Sequence, residues 1–362
     1  MKKLDKFSRG MGIGGWLTNY KRFNVLPNER RKIITVGDME HFENYITERD
    51  IEYIASLGMD HIRLGFDQIV IEKAPYEYRT EIIDILHRFV DWCHKYDLGI
   101  VLNMHKALGN YCDILEERGL FSDAELQNRF IGVWLKLEDE FSDDGSVIFE
   151  LLNEVVNASA EDWNSLADRT VCALRRRNKE RKIVVGCTEW NNPPALPLLR
   201  VWDDENVIYT FHCYEPNEFT HQRGVLQAPQ LFYNRDMPYP CDIERYKDFQ
   251  RTVYGRENHY DGVEAMDINY LRRYLEPVKE WLGAHPDKIL WCGEFGTIRH
   301  ARIEWREAWM RDIISILKEW DIPYSVWNYL STPNDGNRFS LVDDDNRKIL
   351  SENLHKIILG EF

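Results

Sequence analysis

The 362-residue chain has seven cysteines, at positions 93, 112, 172, 187, 213, 241 and 292, and no two form a CxxC pair. An odd number without close spacing fits free thiols in a reducing compartment and argues against a disulfide framework. It also leaves no paired ligand spacing for a zinc cage. No run of about 18 apolar residues occurs, so no membrane-spanning helix is expected. The start, Met-Lys-Lys-Leu-Asp-Lys-Phe-Ser-Arg, is basic but has no apolar stretch behind it. A cytoplasmic protein is therefore expected, or a secreted one if a leader has been removed. Positive charge is short as well: 46 Lys and Arg stand against 61 Asp and Glu, a net charge of −15 spread along the chain. Binding to a phosphate backbone needs clustered Lys and Arg, so nucleic acid is not an expected partner. No tandem repeat, low-complexity tract or Pro/Gly/Ser-rich linker divides the chain, and nothing marks a protein partner.

What is present is material for a large core: 44% hydrophobic and 13% aromatic residues. Short apolar runs alternate with amphipathic stretches along most of the chain. Strands are expected at 10–15, 61–66, 99–104, 147–153, 183–188, 207–212, 289–294 and 323–328. Thr47 and Asp50 form a capping-box pattern opening a helix that Gly58 ends. Ile82, Ile83, Leu86, Phe89, Val90 and Cys93 repeat at helical spacing, as do Ile313, Ile314, Leu317 and Trp320. Eight strand–helix alternations predict an α/β fold of the (β/α)8 TIM-barrel type, a single domain over 1–362.

One region breaks the alternation. Residues 214–268, after the sixth strand, carry Phe219, Phe232, Tyr233, Tyr239, Tyr246, Phe249, Tyr254 and Tyr260 among many Asn, Asp and Arg. Connections this long without structure are uncommon and usually functional. In a barrel this one would lie on the catalytic face, either as a decorated loop with its own small core or as a wall of a ligand cleft.

Two glutamates end apolar strands: Glu154 follows Val-Ile-Phe-Glu-Leu-Leu-Asn, and Glu294 follows Ile-Leu-Trp-Cys-Gly. A charge carried to the rim of a core is costly unless it has partners or a task. Two carboxyl groups so placed suit glycoside hydrolysis, in which one protonates the departing oxygen and the other attacks the anomeric carbon or activates water. Either glutamate alone would read as an ordinary acid at a helix start. Together they have polar company at other strand ends: Arg63, His105, Asn153, His212, Tyr214 and Trp327. His212 and Tyr214 share strand parity, so both can face the barrel axis, and Glu150 shares a face with Glu154 one layer deeper. An unpaired Arg63 would be expensive there, so it is expected to pair with Glu150 or Glu294. Glu154 and Glu294 lie 140 positions apart. Three strand–helix units at about 30 residues each account for about 90 of these, and the insertion after strand six for the rest.

Leu-Leu-Asn-Glu at 151–154, His-Cys-Tyr at 212–214, Gly-Glu-Phe-Gly at 293–296 and Trp327 resemble glycoside hydrolase family 5, the cellulase-type retaining (β/α)8 enzymes. The resemblance runs from Gly10 to about Trp327. It implies Glu154 as acid/base and Glu294 as nucleophile, with Asn153 on the sugar 2-hydroxyl, His212 positioning the acid/base region and Tyr214 bonded to the nucleophile. Arg63 and His105 would line the subsite of the reacting sugar, and Trp327 would be its stacking platform. Trp16 and Trp190, at the ends of strands one and five, are further stacking candidates, with core packing an equal alternative for both. Val155 stands where many members have Pro, and Gly-Gly-Trp-Leu at 14–17 is closer to the exo-acting β-1,3-glucanases.

The resemblance implies a β-glucan or oligosaccharide substrate, an endo-β-1,4-glucanase activity first, and no cofactor or metal. Exo-β-1,3-glucanase, oligosaccharide β-glucosidase, β-mannanase and a non-catalytic carbohydrate-binding barrel are the alternatives. A metal-dependent barrel hydrolase would show His-x-His or similar clustered ligands, which are absent.

Overall fold

The computed structural model describes residues 4–21, 33–116, 118–332 and 335–362. Eight parallel strands close into a barrel: β1 (Arg9–Leu17), β2 (His61–Asp67), β3 (Gly99–Lys106), β4 (Val147–Glu150), β5 (Ile183–Gly186), β6 (Val207–Cys213), β7 (Ile289–Phe295) and β8 (Tyr324–Val326). β1 pairs with β2 on one side and β8 on the other, which completes the ring. All eight strands lie where the apolar runs predict them. β4, β5 and β8 stop two or three residues early, because the chain leaves the ladder as it reaches the rim.

The helices form for the expected reasons. The capping box of Thr47 and Asp50 opens the helix Glu48–Ser56, and Gly58, at φ +78°, follows its end. The helix Thr80–Lys95 buries Ile82, Ile83, Leu86, Phe89, Val90 and Cys93 against the barrel. No helix among the described residues is long and apolar enough to cross a membrane, and all seven cysteines are free thiols.

Strand alternation divides the side chains between two compartments. Ile62, Leu64 and Phe66 of β2 point outward into the main core beneath the helices. Inside the barrel, Val101, Ile148, Val184, Ile208, Ile289 and Trp291 form an apolar floor, with Phe7 from the amino-terminal segment packed on it. One layer higher the interior turns polar, with Arg63, Asn103, Glu150 and Thr210 all fully buried. That layer supports the carboxyl-terminal rim.

The segment after β6 is folded rather than structureless. It contains short helices at Asn217–Thr220 and Ala228–Tyr233, a longer helix at Glu244–Tyr254, and a two-stranded ribbon of Cys241–Asp242 with Ala265–Met266. Phe219, Tyr239, Tyr246, Phe249 and Tyr260 are buried within it and join the main core. Phe232 and Tyr254 stay exposed.

Candidate active site

The carboxyl-terminal rim surrounds a cleft of about 540 Å³ lined by His105, Glu154, Trp190, Tyr214, Glu294 and Trp327, among others. Glu154 comes from the turn after β4 and Glu294 from the end of β7. One carboxylate oxygen of each lies within 4.8 Å of the other and of a His212 ring nitrogen. Inverting glycosidases need about 6.5–9.5 Å between carboxyl groups to seat a water, whereas retaining ones hold them about 5–5.5 Å apart. An approach this close suits the second geometry.

The two carboxyl groups have different surroundings. Glu294 has a donor on each oxygen: the Arg63 guanidinium (Nη1) on Oε1, and the Tyr214 hydroxyl on Oε2 at 2.8 Å. Burial raises the pKa of Glu294, while Arg63 and Tyr214 oppose that rise and favour the anion. Among the described residues no cationic side chain bonds to Glu154 in this way. Burial, and then the facing Glu294, raise its carboxyl well above the usual range, which favours the protonated form. His212 Nδ1 faces Glu154 Oε1 at 3.0 Å. Burial and the nearby Arg63 push its imidazole well below the ordinary histidine range, so it is neutral at pH 7. A neutral ring can accept from Glu154 when that group is protonated and donate to it when it is ionised. The Arg63 guanidinium against Glu294 Oε1 disfavours a second cation at this trio.

Arg63 organises this asymmetry from below. Its Nε and Nη2 meet the two oxygens of Glu150 at 2.6 and 2.7 Å, and Nη2 also donates to Asn153 Oδ1 at 2.7 Å. Arg63 therefore pairs with both carboxylates that the sequence offered as alternatives. Burial works against its charge, but Glu150 and Glu294 outweigh burial and raise its pKa.

On the opposite wall, Trp327 stacks on His105 at 5.1 Å between ring centroids and 14° between planes. His105 Nδ1 lies 3.0 Å from Asn103 Oδ1, which fixes the ring. Gly12 and Gly14 of β1 make room for the indole: a Cβ on either would stand 2.7–2.8 Å from Trp327 ring atoms. The glycine-rich start of the barrel thus accommodates a stacking platform.

Trp190 lies on the cleft, 37% exposed, with its indole N–H donating to the Cys112 carbonyl at 3.1 Å. Trp16 does not reach the cleft. It is buried, donates to the Phe42 carbonyl at 2.7 Å and packs edge-on to Phe89. Gly10, Gly12 and Gly14 face inward, so plain alternation would turn Trp16 inward as well. Gly15 takes φ +75° and shifts the parity, sending Trp16 to the helix layer. Cys112, Glu215, Asn217, His221 and Phe339 also line the cleft. Sequence pattern did not single them out, because they stand in loops whose paths periodicity does not fix.

A closed parallel barrel with two unlike glutamates facing each other across its carboxyl-terminal mouth is the arrangement of a (β/α)8 glycoside hydrolase. Residues 27–332 match the cellulase family, glycosyl hydrolase family 5. The chain is 35% identical to endoglucanase C of Acetivibrio thermocellus over 360 residues, 98% of both chains. It is 27% identical to cellodextrinase A of Ruminococcus flavefaciens over 324 residues, 88% of this chain and 84% of that one. The fold matches the crystal structure of endoglucanase Cel5A from Thermotoga maritima with a TM-score of 0.73 at 22% identity, over 98% of this chain and 100% of that one. The chain belongs to glycoside hydrolase family 5.

Proposed function

We propose that this enzyme is a retaining endo-β-1,4-glucanase that uses Glu294 as nucleophile and Glu154 as acid/base. The observation that carries this reading is the close pair of carboxyl groups with opposite environments, one held by a cation and a phenol, the other next to a neutral imidazole. Full-length identity to a protein named endoglucanase supports the substrate class.

In the first step a Glu294 oxygen forms a bond to the anomeric carbon as the glycosidic C–O bond breaks. The proton of Glu154 goes to the departing oxygen. Once Glu294 is esterified its negative charge is gone, so the Glu154 pKa falls and the carboxylate can take a proton from water. That water attacks the anomeric carbon and frees Glu294. Asn153, held by Arg63, is suited to the 2-hydroxyl, and Trp327 to the apolar face of the reacting sugar. No step draws on a cofactor.

The test is a product profile on carboxymethylcellulose, mixed-linkage glucan, β-1,3-glucan, mannan and cello-oligosaccharides, with the first-formed anomer followed by NMR. Internal cleavage of β-1,4-glucan with β-configured product is expected. Release of single glucose units only from chain ends, preference for β-1,3-glucan or mannan, or an α-configured first product would overturn the assignment.

A further inference from the structure

His212 touches Glu154 through Nδ1 only. Over the two steps its ring accepts from Glu154 while that group is protonated and donates to it once it is ionised. These roles belong to different tautomers, so the partner of the other ring nitrogen decides which of them is open. That nitrogen, Nε2, is buried, and no donor or acceptor among the described residues reaches it. The hydroxyl of Thr210 is in the same condition: buried and without a partner among the described residues. Thr210 stands two residues before His212 on β6, so both side chains enter the barrel from the same face of the strand.

The facing strand brings the two atoms to one place. The pairing of β6 with β7 shifts register between Cys292 and Glu294, at Gly293. A Cβ on Gly293 would stand 2.6 Å from Thr210 Oγ1 and 3.3 Å from His212 Nε2. Both polar atoms therefore border the same small space, which the missing side chain of Gly293 keeps open. They do not bond to each other directly, but one water with hydrogen bonds of about 2.8 Å spans such a gap. Two buried polar groups that share a space and lack protein partners are the setting in which an internal water is retained. We propose that Thr210 is a positioning residue for the acid/base: through one buried water, its hydroxyl partners His212 Nε2. A hydroxyl and a water each donate or accept, so together they serve whichever tautomer Glu154 requires. The inference rests on the reading of Glu154 as acid/base.

The experiment compares kcat/KM on phenyl β-cellobioside, whose leaving group needs a proton, with kcat/KM on 2,4-dinitrophenyl β-cellobioside, whose leaving group does not. Wild type, Thr210→Val, Thr210→Ser and, as the reference for lost acid catalysis, Glu154→Ala are measured. The readout is a ratio of two rates on one preparation, so loss of folded protein cancels. Thr210→Val, which removes the hydroxyl and keeps the shape, is expected to lose at least tenfold more on the phenyl substrate than on the dinitrophenyl one. Thr210→Ser is expected to bring the ratio back to within about threefold of wild type, because it restores the hydroxyl. Should the Val protein not fold, Thr210→Ala removes the same hydroxyl and takes its place. Equal losses on both substrates, no loss on either, or a Ser variant no better than Val would overturn the role of Thr210. A Glu154→Ala variant that does not discriminate between the two substrates would instead overturn the acid/base assignment, a distinct result.

Discussion

Arg63 and Glu150 lie at the centre of the barrel with no exposed surface, joined by hydrogen bonds of 2.6 and 2.7 Å. The pairing leaves the far side of the guanidinium free to meet Glu294, so a carboxylate one layer below the chemistry fixes the cation that favours the anionic form of that group against the effect of burial.

Removing that cation damages both stability and catalysis. Arg63→Met leaves Glu150 buried and unpaired, and breaking such a pair costs about 3–5 kcal/mol. Calorimetry is expected to show a large fall in Tm, and the residual folded enzyme a fall in kcat. A variant with wild-type Tm and wild-type turnover would remove Arg63 from the account.

Tyr214→Phe deletes the 2.8 Å bond to Glu294 with little change in shape. A hydrogen bond to a charged group contributes about 1.5–3 kcal/mol, and each 1.36 kcal/mol is about tenfold in rate. A loss of about 10- to 100-fold in kcat is expected. Because this bond lowers the Glu294 pKa, the acidic limb of the kcat/KM profile is expected to move to higher pH in the variant. An unmoved limb would show that the phenol does not tune the nucleophile.

Glu154 gives a prediction in which stability and activity move in opposite directions. Its folded-state pKa is raised well above that of a free carboxyl group. Its contribution is therefore fully present below the unfolded pKa and is lost as pH rises through the folded value. Glu154→Gln is expected to match the wild-type Tm near pH 4 and exceed it at pH 8, while nearly abolishing cleavage of cello-oligosaccharides. With Glu154→Ala, azide is expected to restore turnover of an activated aryl glycoside. A Gln variant less stable than wild type at pH 8 would contradict the environment assigned to this carboxyl group.

Trp16 and Trp327 separate packing from binding. Trp16→Ala empties a core position and is expected to cost about 3–5 kcal/mol of stability, with an unchanged product pattern. Trp327→Ala is expected to lower kcat/KM on all glucans. A changed product pattern in Trp16→Ala would return that residue to the cleft.

The barrel could be read from the sequence because its strands are short apolar runs that only a doubly covered sheet can bury. Glu154 and Glu294 stood out because a charge ends such a run. Trp16 was misdirected by a single left-handed glycine, which alternation alone does not reveal. Glu215 and Asn217 were hidden for another reason: they line the cleft from a segment whose path depends on tertiary packing. The helix Glu244–Tyr254 in that segment buries Tyr246, Phe249 and Gln250 at spacings of three and four, a periodicity that its many charged residues obscured.

The most direct test of the central claim is trapping the covalent intermediate. The enzyme would be incubated with an activated 2-deoxy-2-fluoro-cellobioside, digested and sequenced by mass spectrometry. One sugar adduct per chain on the peptide containing Glu294, absent from Glu294→Gln, is the predicted result. An adduct on another residue, or none while the enzyme turns over unfluorinated substrate, would contradict the assignment of Glu294 as nucleophile.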